Sequence, residues 1–141
     1  MLFNVTHTNK ENQLIINHIV GARFNFFKSI KLNGIGSGKM IIEEVSENFK
    51  ELISDTSDLN YGNIELRPGG ILVFVTKKLQ RFCWTIPYYK LVVYKNESFS
   101  IYADANFIRF RKDKNYRENQ KFIRKMMNLK IAFKQEYAYD R

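Results

Sequence analysis

Cysteine is nearly absent from this chain. Cys83 is the single cysteine, and it stands beside Trp84 in a stretch with the alternation of a β-strand. One thiol cannot form a disulfide framework or a cysteine zinc site within one chain, so we expect it to serve packing. An unpaired thiol also favours a reducing compartment.

Long apolar runs are absent as well. No stretch approaches the ~20 apolar residues that a membrane span needs. The N-terminus, MLFNVTHTNKENQ, has neither the charged start nor the apolar segment of a signal peptide. We therefore expect a cytoplasmic protein.

Of the 141 residues 45% are apolar, which is enough for one domain with a core of its own.

Combinations of residues that could carry catalysis are scarce. Histidine occurs only at His7 and His18, and no serine or cysteine lies in a nucleophile motif. His18 lies in an apolar run, where a core imidazole is the commoner case. The glycine-rich residues 33–40 have Asn33 and Met40 where a P-loop needs its first glycine and its hydroxyl residue, which leaves a turn or simple anion binding at a helix N-terminus. We expect a binding function, with no catalytic residue, metal or cofactor.

The middle of the chain is rich in β-forming residues. In residues 63–112, turn sequences separate short apolar segments at positions 68–70, 77–80, 96–97 and 104–106. These spacings fit hairpins better than crossover helices, and they predict an antiparallel sheet. Residues 71–75 are apolar on both alternating faces, which predicts a central or helix-covered strand. Pro87 cannot donate to a ladder, so residues 81–94 should form either two strands or one bent strand.

The N-terminal part offers weaker signals. Thr8 and Glu11 have the spacing of a capping box, which predicts a helix that ends at Gly21, although the alternation in residues 14–20 also fits a strand. Apolar and polar residues alternate in residues 23–32, which predicts a strand.

Two segments have the period of amphipathic helices and opposite charge. Residues 40–54 carry the acidic side chains Glu43, Glu44, Glu47 and Glu51, and a polar run at 55–60 follows as a hinge. Residues 117–135 predict a long basic C-terminal helix. The apolar stripes of both must be covered by the sheet, by one another or by a second chain, so a homodimer stays open. If they pack side by side, their charges would pair.

Positive charge is concentrated toward the C-terminus. The net charge is +9; residues 1–60 hold 6 basic and 7 acidic groups, residues 61–106 hold 6 and 3, and residues 107–141 hold 11 and 4. Such a field raises encounter rates with polyanions and anionic surfaces.

Two basic clusters are candidate binding residues. The first is at a hairpin turn and consists of Lys77, Lys78 and Arg81. The second follows helical spacing and consists of Arg117, Lys121, Arg124 and Lys125, with Asn128 beside them. The first is an anion site or a solvated turn. The second is a solvated helix face, a contact for a nucleic-acid backbone or an interfacial membrane helix.

The stretch from residue 69 to 127 resembles the bacterial pleckstrin-homology-like and GRAM-like modules. In these modules short antiparallel strands lead to an asparagine-rich connection and a C-terminal amphipathic helix, and the matching residues here are Ile86, Pro87, Tyr88 and 119–123. The resemblance implies seven strands and a closing helix, with residues 23–32 as the first strand and the helix at 40–54 as a departure. It also implies binding of phosphoinositide head groups or protein segments, with Lys77, Lys78 and Arg81 similar to a phosphate-holding basic hairpin.

The sequence therefore predicts an α+β fold with an antiparallel sheet or open barrel, a C-terminal amphipathic helix and an additional acidic helix. We expect one domain over residues 1–141, with an N-terminal segment (1–60), a sheet (61–112) and a helix (115–135). The expected function is a non-enzymatic binding or scaffold domain for an anionic ligand, a protein partner or a membrane surface. The alternative is a nucleic-acid-binding protein that uses the basic C-terminal helix.

Overall fold

An eight-stranded antiparallel open sheet forms the body of the protein. The computed structural model describes the backbone of residues 1–53 and 59–139, and the side chains among them up to residue 135. The strands are β1 (Leu2–Asn4), β2 (Met40–Val45), β3 (Asn60–Arg67), β4 (Gly70–Lys77), β5 (Gln80–Pro87), β6 (Val92–Tyr94), β7 (Phe99–Ala103) and β8 (Asn106–Phe110). The helices are α1 (Lys10–Val20), α2 (Phe26–Lys31), α3 (Lys114–Glu118) and α4 (Gln120–Tyr139), with a 3-10 helix at Glu47–Leu52. The order in the sheet is β1-β5-β4-β3-β2-β8-β7-β6. The expected α+β class is confirmed.

The hairpins lie where turn residues predicted them. β3–β4, β4–β5 and β7–β8 are consecutive antiparallel pairs. Lys78 (φ 54°), Asp104 (φ 51°) and Ala105 (φ 65°) have the left-handed backbone that tight hairpin turns require. Pro87 ends β5 and the chain resumes as β6, so two strands, and not one bent strand, form around this proline.

Residues 40–54 do not form the expected acidic helix. Residues 40–45 form β2, which lies between β3 and β8, and the 3-10 helix follows. β-branched side chains at Ile41, Ile42 and Val45 favour a strand, and two neighbouring strands satisfy its backbone groups. Because the acidic helix does not exist, its side-by-side packing with the basic C-terminal helix, which was one of three alternatives, does not occur. The hinge expected at 55–60 falls mostly outside the described residues.

Residues 23–32 are not a strand either. They contain α2, and the side chain of Asn25 caps this helix by accepting the N–H of Lys28 at 2.8 Å. The Ser29 hydroxyl donates to the Asn25 carbonyl at 2.9 Å. Local caps therefore prevailed over a short alternating pattern, which cannot by itself distinguish the two states.

The first and last helices were predicted with small errors at their ends. α1 ends at Gly21 (φ 85°), but Asn9 rather than Thr8 is its cap and accepts the N–H of Asn12 at 3.1 Å. The C-terminal helix is interrupted at Asn119, which separates α3 from α4. The glycine-rich residues 33–40 precede a strand, so they do not form the anion site at a helix N-terminus that was one alternative.

The core has two layers, one on each side of the sheet. The inner layer is larger, and Trp84 packs there edge-on against Phe49 with ring centroids 4.9 Å apart. Helix α4 closes this layer with its buried residues Phe122, Ile123 and Met126. In the outer layer Ile16 and Val20 of α1 form a cluster with Phe3 of β1, Leu72 of β4 and Cys83 of β5. As expected, β4 is buried on both faces.

The buried thiol of Cys83 should make the stability of the folded protein decrease at alkaline pH. Burial raises the pKa of Cys83 from about 9 to about 11, and its bond with Thr85 opposes this only in part. The folded protein thus keeps a proton that the unfolded chain loses. This stabilisation is fully present below pH 9 and is lost as the pH rises toward 11.

We expect the free energy of unfolding to fall by about 1 kcal/mol between pH 9 and pH 10 through this thiol, because the unfolded thiol is already half ionised at pH 9. Urea titrations of the wild type and of Cys83→Ala at both pH values measure it, because all other groups contribute equally to the two proteins. Burial raises the pKa of Tyr88 as well, and its contribution is lost mainly above pH 10. Equal pH dependence in the two proteins would contradict the assignment.

Candidate functional site: a cationic groove beside an exposed helix

A groove of about 470 Å³ lies between α4 and the segment that follows α2. Its lining residues are Leu32, Lys121, Arg124, Lys125, Asn128, Leu129 and Ala132, and we call it the cationic groove. Steps of three and four residues bring the α4 side chains to one side of the helix. The adjoining side of the helix is buried in the core through Phe122, Ile123 and Met126.

Hydrogen bonds between distant segments hold the walls of the groove in place. Lys125 Nζ donates to the carbonyl oxygens of Asn33 (3.3 Å) and Gly34 (3.1 Å). At the junction of α3 and α4, the buried side chain of Asn119 accepts the N–H of Gly38 at 2.9 Å. The loop after α2 is thereby fixed against α4, so the groove is preformed.

The positive charge of the groove is not neutralised by any described carboxylate. The ion pairs among the described side chains lie elsewhere and are Arg23–Glu65, Arg67–Glu65, Lys90–Asp104, Arg109–Glu44 and Lys114–Glu118. Burial lowers the pKa of Lys125, because its ammonium is partly desolvated. A bound anion would favour the charged form of this lysine, so the groove suits an anionic group.

The structure brings together most of the predicted basic helix face. Lys121, Arg124 and Lys125 line the groove, and Asn128 lies beside them. Arg117 belongs to α3, before the interruption at Asn119, and does not line the groove.

The hairpin cations Lys77, Lys78 and Arg81 do not converge on one point. Lys77 Nζ donates to the Glu51 carbonyl at 2.8 Å, whereas the Arg81 guanidinium lies 4.0 Å from the centroid of the Phe74 ring. The register of β4 and β5 places Lys77 and Arg81 on opposite faces of the hairpin. Lys78 is exposed at the turn. Anion binding by these three residues stays a prediction.

An apolar patch on α2 escaped the sequence analysis. Phe26 (73% exposed), Phe27 (81%) and Ile30 (58%) project into solvent, and α2 buries none of its residues. We call these three side chains the α2 patch. The strand prediction for residues 23–32 assumed alternating apolar and polar residues, and Phe27 and Lys28 break that alternation. The spacing i, i+1, i+4 after the capping residue Asn25 was the available signal for a helix.

Other candidate sites fit an anion less well. The outer face of β7 and β8 has a groove of about 610 Å³ that is lined in part by Tyr94, Tyr102 and Arg109, but Arg109 is paired with Glu44. His18 is exposed, so the expectation of a core imidazole is wrong. Within residues 1–53 and 59–135, no group of three or more metal-ligating side chains is present.

Comparisons with known proteins leave the geometry as the basis for a functional assignment. No family model, no curated protein and no solved structure matches the chain. Among the described helices, none is both long enough and apolar enough to span a membrane.

Proposed function

We propose that this protein is a non-enzymatic binding module of pleckstrin-homology-like architecture that holds an anionic partner in the cationic groove. The architecture is supported by the seven strands β2 to β8 and the helical segment after them, the number that the resemblance implies. With β2 in place of the expected acidic helix, the main departure from that pattern disappears. β1, α1 and α2 are additional elements.

The observation that carries the binding function is the convergence of three cations that form no ion pair with any described carboxylate. Lys121 and Arg124 are exposed, and Lys125 is held over the loop after α2. Arg124 offers a planar fork for phosphate or carboxylate, Lys121 adds a mobile point charge, and Lys125 adds a positive charge that its bonds to the loop hold in place. Charge-assisted hydrogen bonds of this kind are about twice as strong as neutral ones. A partner with several phosphate or carboxylate groups therefore fits the groove best.

A nucleic-acid backbone is the second candidate, because basic residues continue along α4 at Lys130 and Lys134. Contacts between three cations and three phosphates would make log affinity for duplex DNA fall by about 2.7 per tenfold rise in salt. A compact polyanion such as inositol hexakisphosphate would depend less on the length of the charged surface.

Charge reversal tests the groove. Lys121→Glu with Arg124→Glu should weaken binding of inositol hexakisphosphate about tenfold or more, because two attractive contacts become repulsive. Isothermal titration calorimetry at low salt measures the change. The matched control is Lys78→Glu with Arg81→Glu, which alters net charge equally and should change affinity less than about threefold.

Each outcome has a separate meaning. Equal losses in both variants would show that net charge alone attracts the anion, and they would contradict a defined groove. A larger loss in the control would transfer the site to the hairpin. If the wild type binds neither inositol hexakisphosphate nor a DNA duplex nor anionic vesicles, the proposed function is wrong.

A further inference from the structure

Helix α2 exposes large apolar side chains and has no buried residue. Phe26 and Phe27 are exposed by 73% and 81%, and their ring centroids lie 5.9 Å apart. Ile30 is 58% exposed one turn later. A six-residue helix gains no packing energy in this state, and exposed aromatic side chains that lie together mark interaction surfaces.

The charged residues next to the α2 patch along the chain are all positive. Lys28 and Lys31 are exposed on α2, and residues 22–42 contain four basic and no acidic residues. Leu32, directly after α2, lines the cationic groove, and Lys125 bonds to Gly34 two residues later. The α2 patch and the cationic groove are therefore neighbouring parts of one surface.

We propose that this surface docks on a lipid bilayer that contains anionic lipids. The α2 patch enters the boundary between head groups and acyl chains, while Lys28, Lys31 and the groove cations contact lipid phosphates and carboxylates. This docking rests on the proposed function, because the groove cations supply part of the positive charge. It adds to that function by identifying the anionic partner as a lipid. Aromatic side chains flanked by lysines are the combination that binds peripherally to such interfaces.

The combination of apolar and basic groups favours a bilayer over other occupants. A nucleic-acid backbone would neutralise the lysines but would leave Phe26, Phe27 and Ile30 in water. A second copy of the chain would cover the apolar side chains but would bring a second cationic surface against the first. An anionic bilayer accommodates both kinds of side chain at once.

Vesicle co-sedimentation of the full chain tests the proposal. The wild type should bind vesicles with roughly 30% phosphatidylserine and should not bind pure phosphatidylcholine vesicles. Phe26→Ser with Phe27→Ser should weaken vesicle binding about tenfold to a hundredfold. This variant should keep its affinity for inositol hexakisphosphate and its thermal stability, because both side chains are exposed. Leu14→Ser, on the exposed side of α1, is the matched control and should bind like the wild type.

Tryptophan fluorescence distinguishes a lipid from a nucleic acid. The native Trp84 is buried, so its emission is a constant background. In Phe27→Trp, emission should shift to shorter wavelength with anionic vesicles and should stay unchanged with a DNA duplex or inositol hexakisphosphate.

Three results would overturn the inference. The first is an unchanged vesicle affinity of the double serine variant. The second is a loss that appears instead in Leu79→Ser, at the 93% exposed tip of the β4–β5 hairpin, which would place the bilayer contact there. The third is a wild type that binds inositol hexakisphosphate or DNA but no vesicles; in that case the proposed function stands without the lipid assignment.

Discussion

Gly70→Ala should destabilise the protein by about 3 to 5 kcal/mol, or prevent folding, because no space exists for a methyl group at this position. A Cβ atom on Gly70 would lie 2.2 Å from the Ile86 carbonyl oxygen and 2.8 Å from Pro87 Cα. It would also lie 2.7 Å from Val20 Cγ1. The first two are backbone atoms of the neighbouring strand and cannot turn aside. Either the β4–β5 ladder or the end of α1 would have to move.

Gly36→Ala is the matched control for this substitution. A Cβ atom on Gly36 would have no neighbour within 4 Å. The free energy of unfolding of the Gly36→Ala protein should therefore stay within about 1 kcal/mol of the wild type. Urea unfolding followed by the fluorescence of Trp84 measures both variants. A Gly70→Ala protein with the wild-type midpoint would show that the contact between α1, β4 and β5 has room for a methyl group.

Arg67→Ala should lower the free energy of unfolding by about 3 kcal/mol, because it leaves several polar groups at the end of α1 unpaired. The Arg67 side chain is only 11% exposed, and its Nε donates to Glu65 Oε2 at 2.8 Å. Its Nη1 donates to Asn17 Oδ1 at 2.7 Å and to the Gly21 carbonyl at 2.9 Å. These bonds tie the end of α1 to β3, and α2 follows a few residues later.

A second arginine supplies the control, since it meets the same carboxylate from the solvent side. Arg23 Nε lies 4.0 Å from Glu65 Oε1, and the Arg23 side chain is 70% exposed. Arg23→Ala should therefore cost at most about 1 kcal/mol. Chemical denaturation of the two alanine variants gives the comparison. Similar losses would mean that the network around Arg67 contributes little beyond surface charge.

The predicted hairpins and helix ends show how far local chemistry extends. Turn residues such as Asp104 and Ala105 act within one tight turn, and Gly21 ends α1 through its own backbone conformation. Short apolar segments were ambiguous, because six residues satisfy either period. β2 is a strand because Ile42 lies opposite Asn60 on one side and Phe110 on the other. These partners are remote in the chain.

One part of the candidate site could be predicted from the sequence, and another part could not. Helical spacing placed Lys121, Arg124 and Lys125 on one side of a helix, and the structure agrees. The exclusion of Arg117 depends on the interruption at Asn119, whose side chain bonds to the distant Gly38. No local pattern reveals such a contact.

The antiparallel hairpins, the closing amphipathic helix and the excess of positive charge toward the C-terminus could all be predicted from the amino-acid sequence. Each of these depends on neighbours within a few residues along the chain or on composition alone. The tertiary structure was needed to show that residues 40–45 join the sheet, that no described carboxylate pairs with the groove cations, and that the α2 patch is exposed. Burial and charge pairing are set by which remote segments meet. In this sheet, several of those contacts join residues far apart in the sequence, so a local sequence pattern does not reveal them.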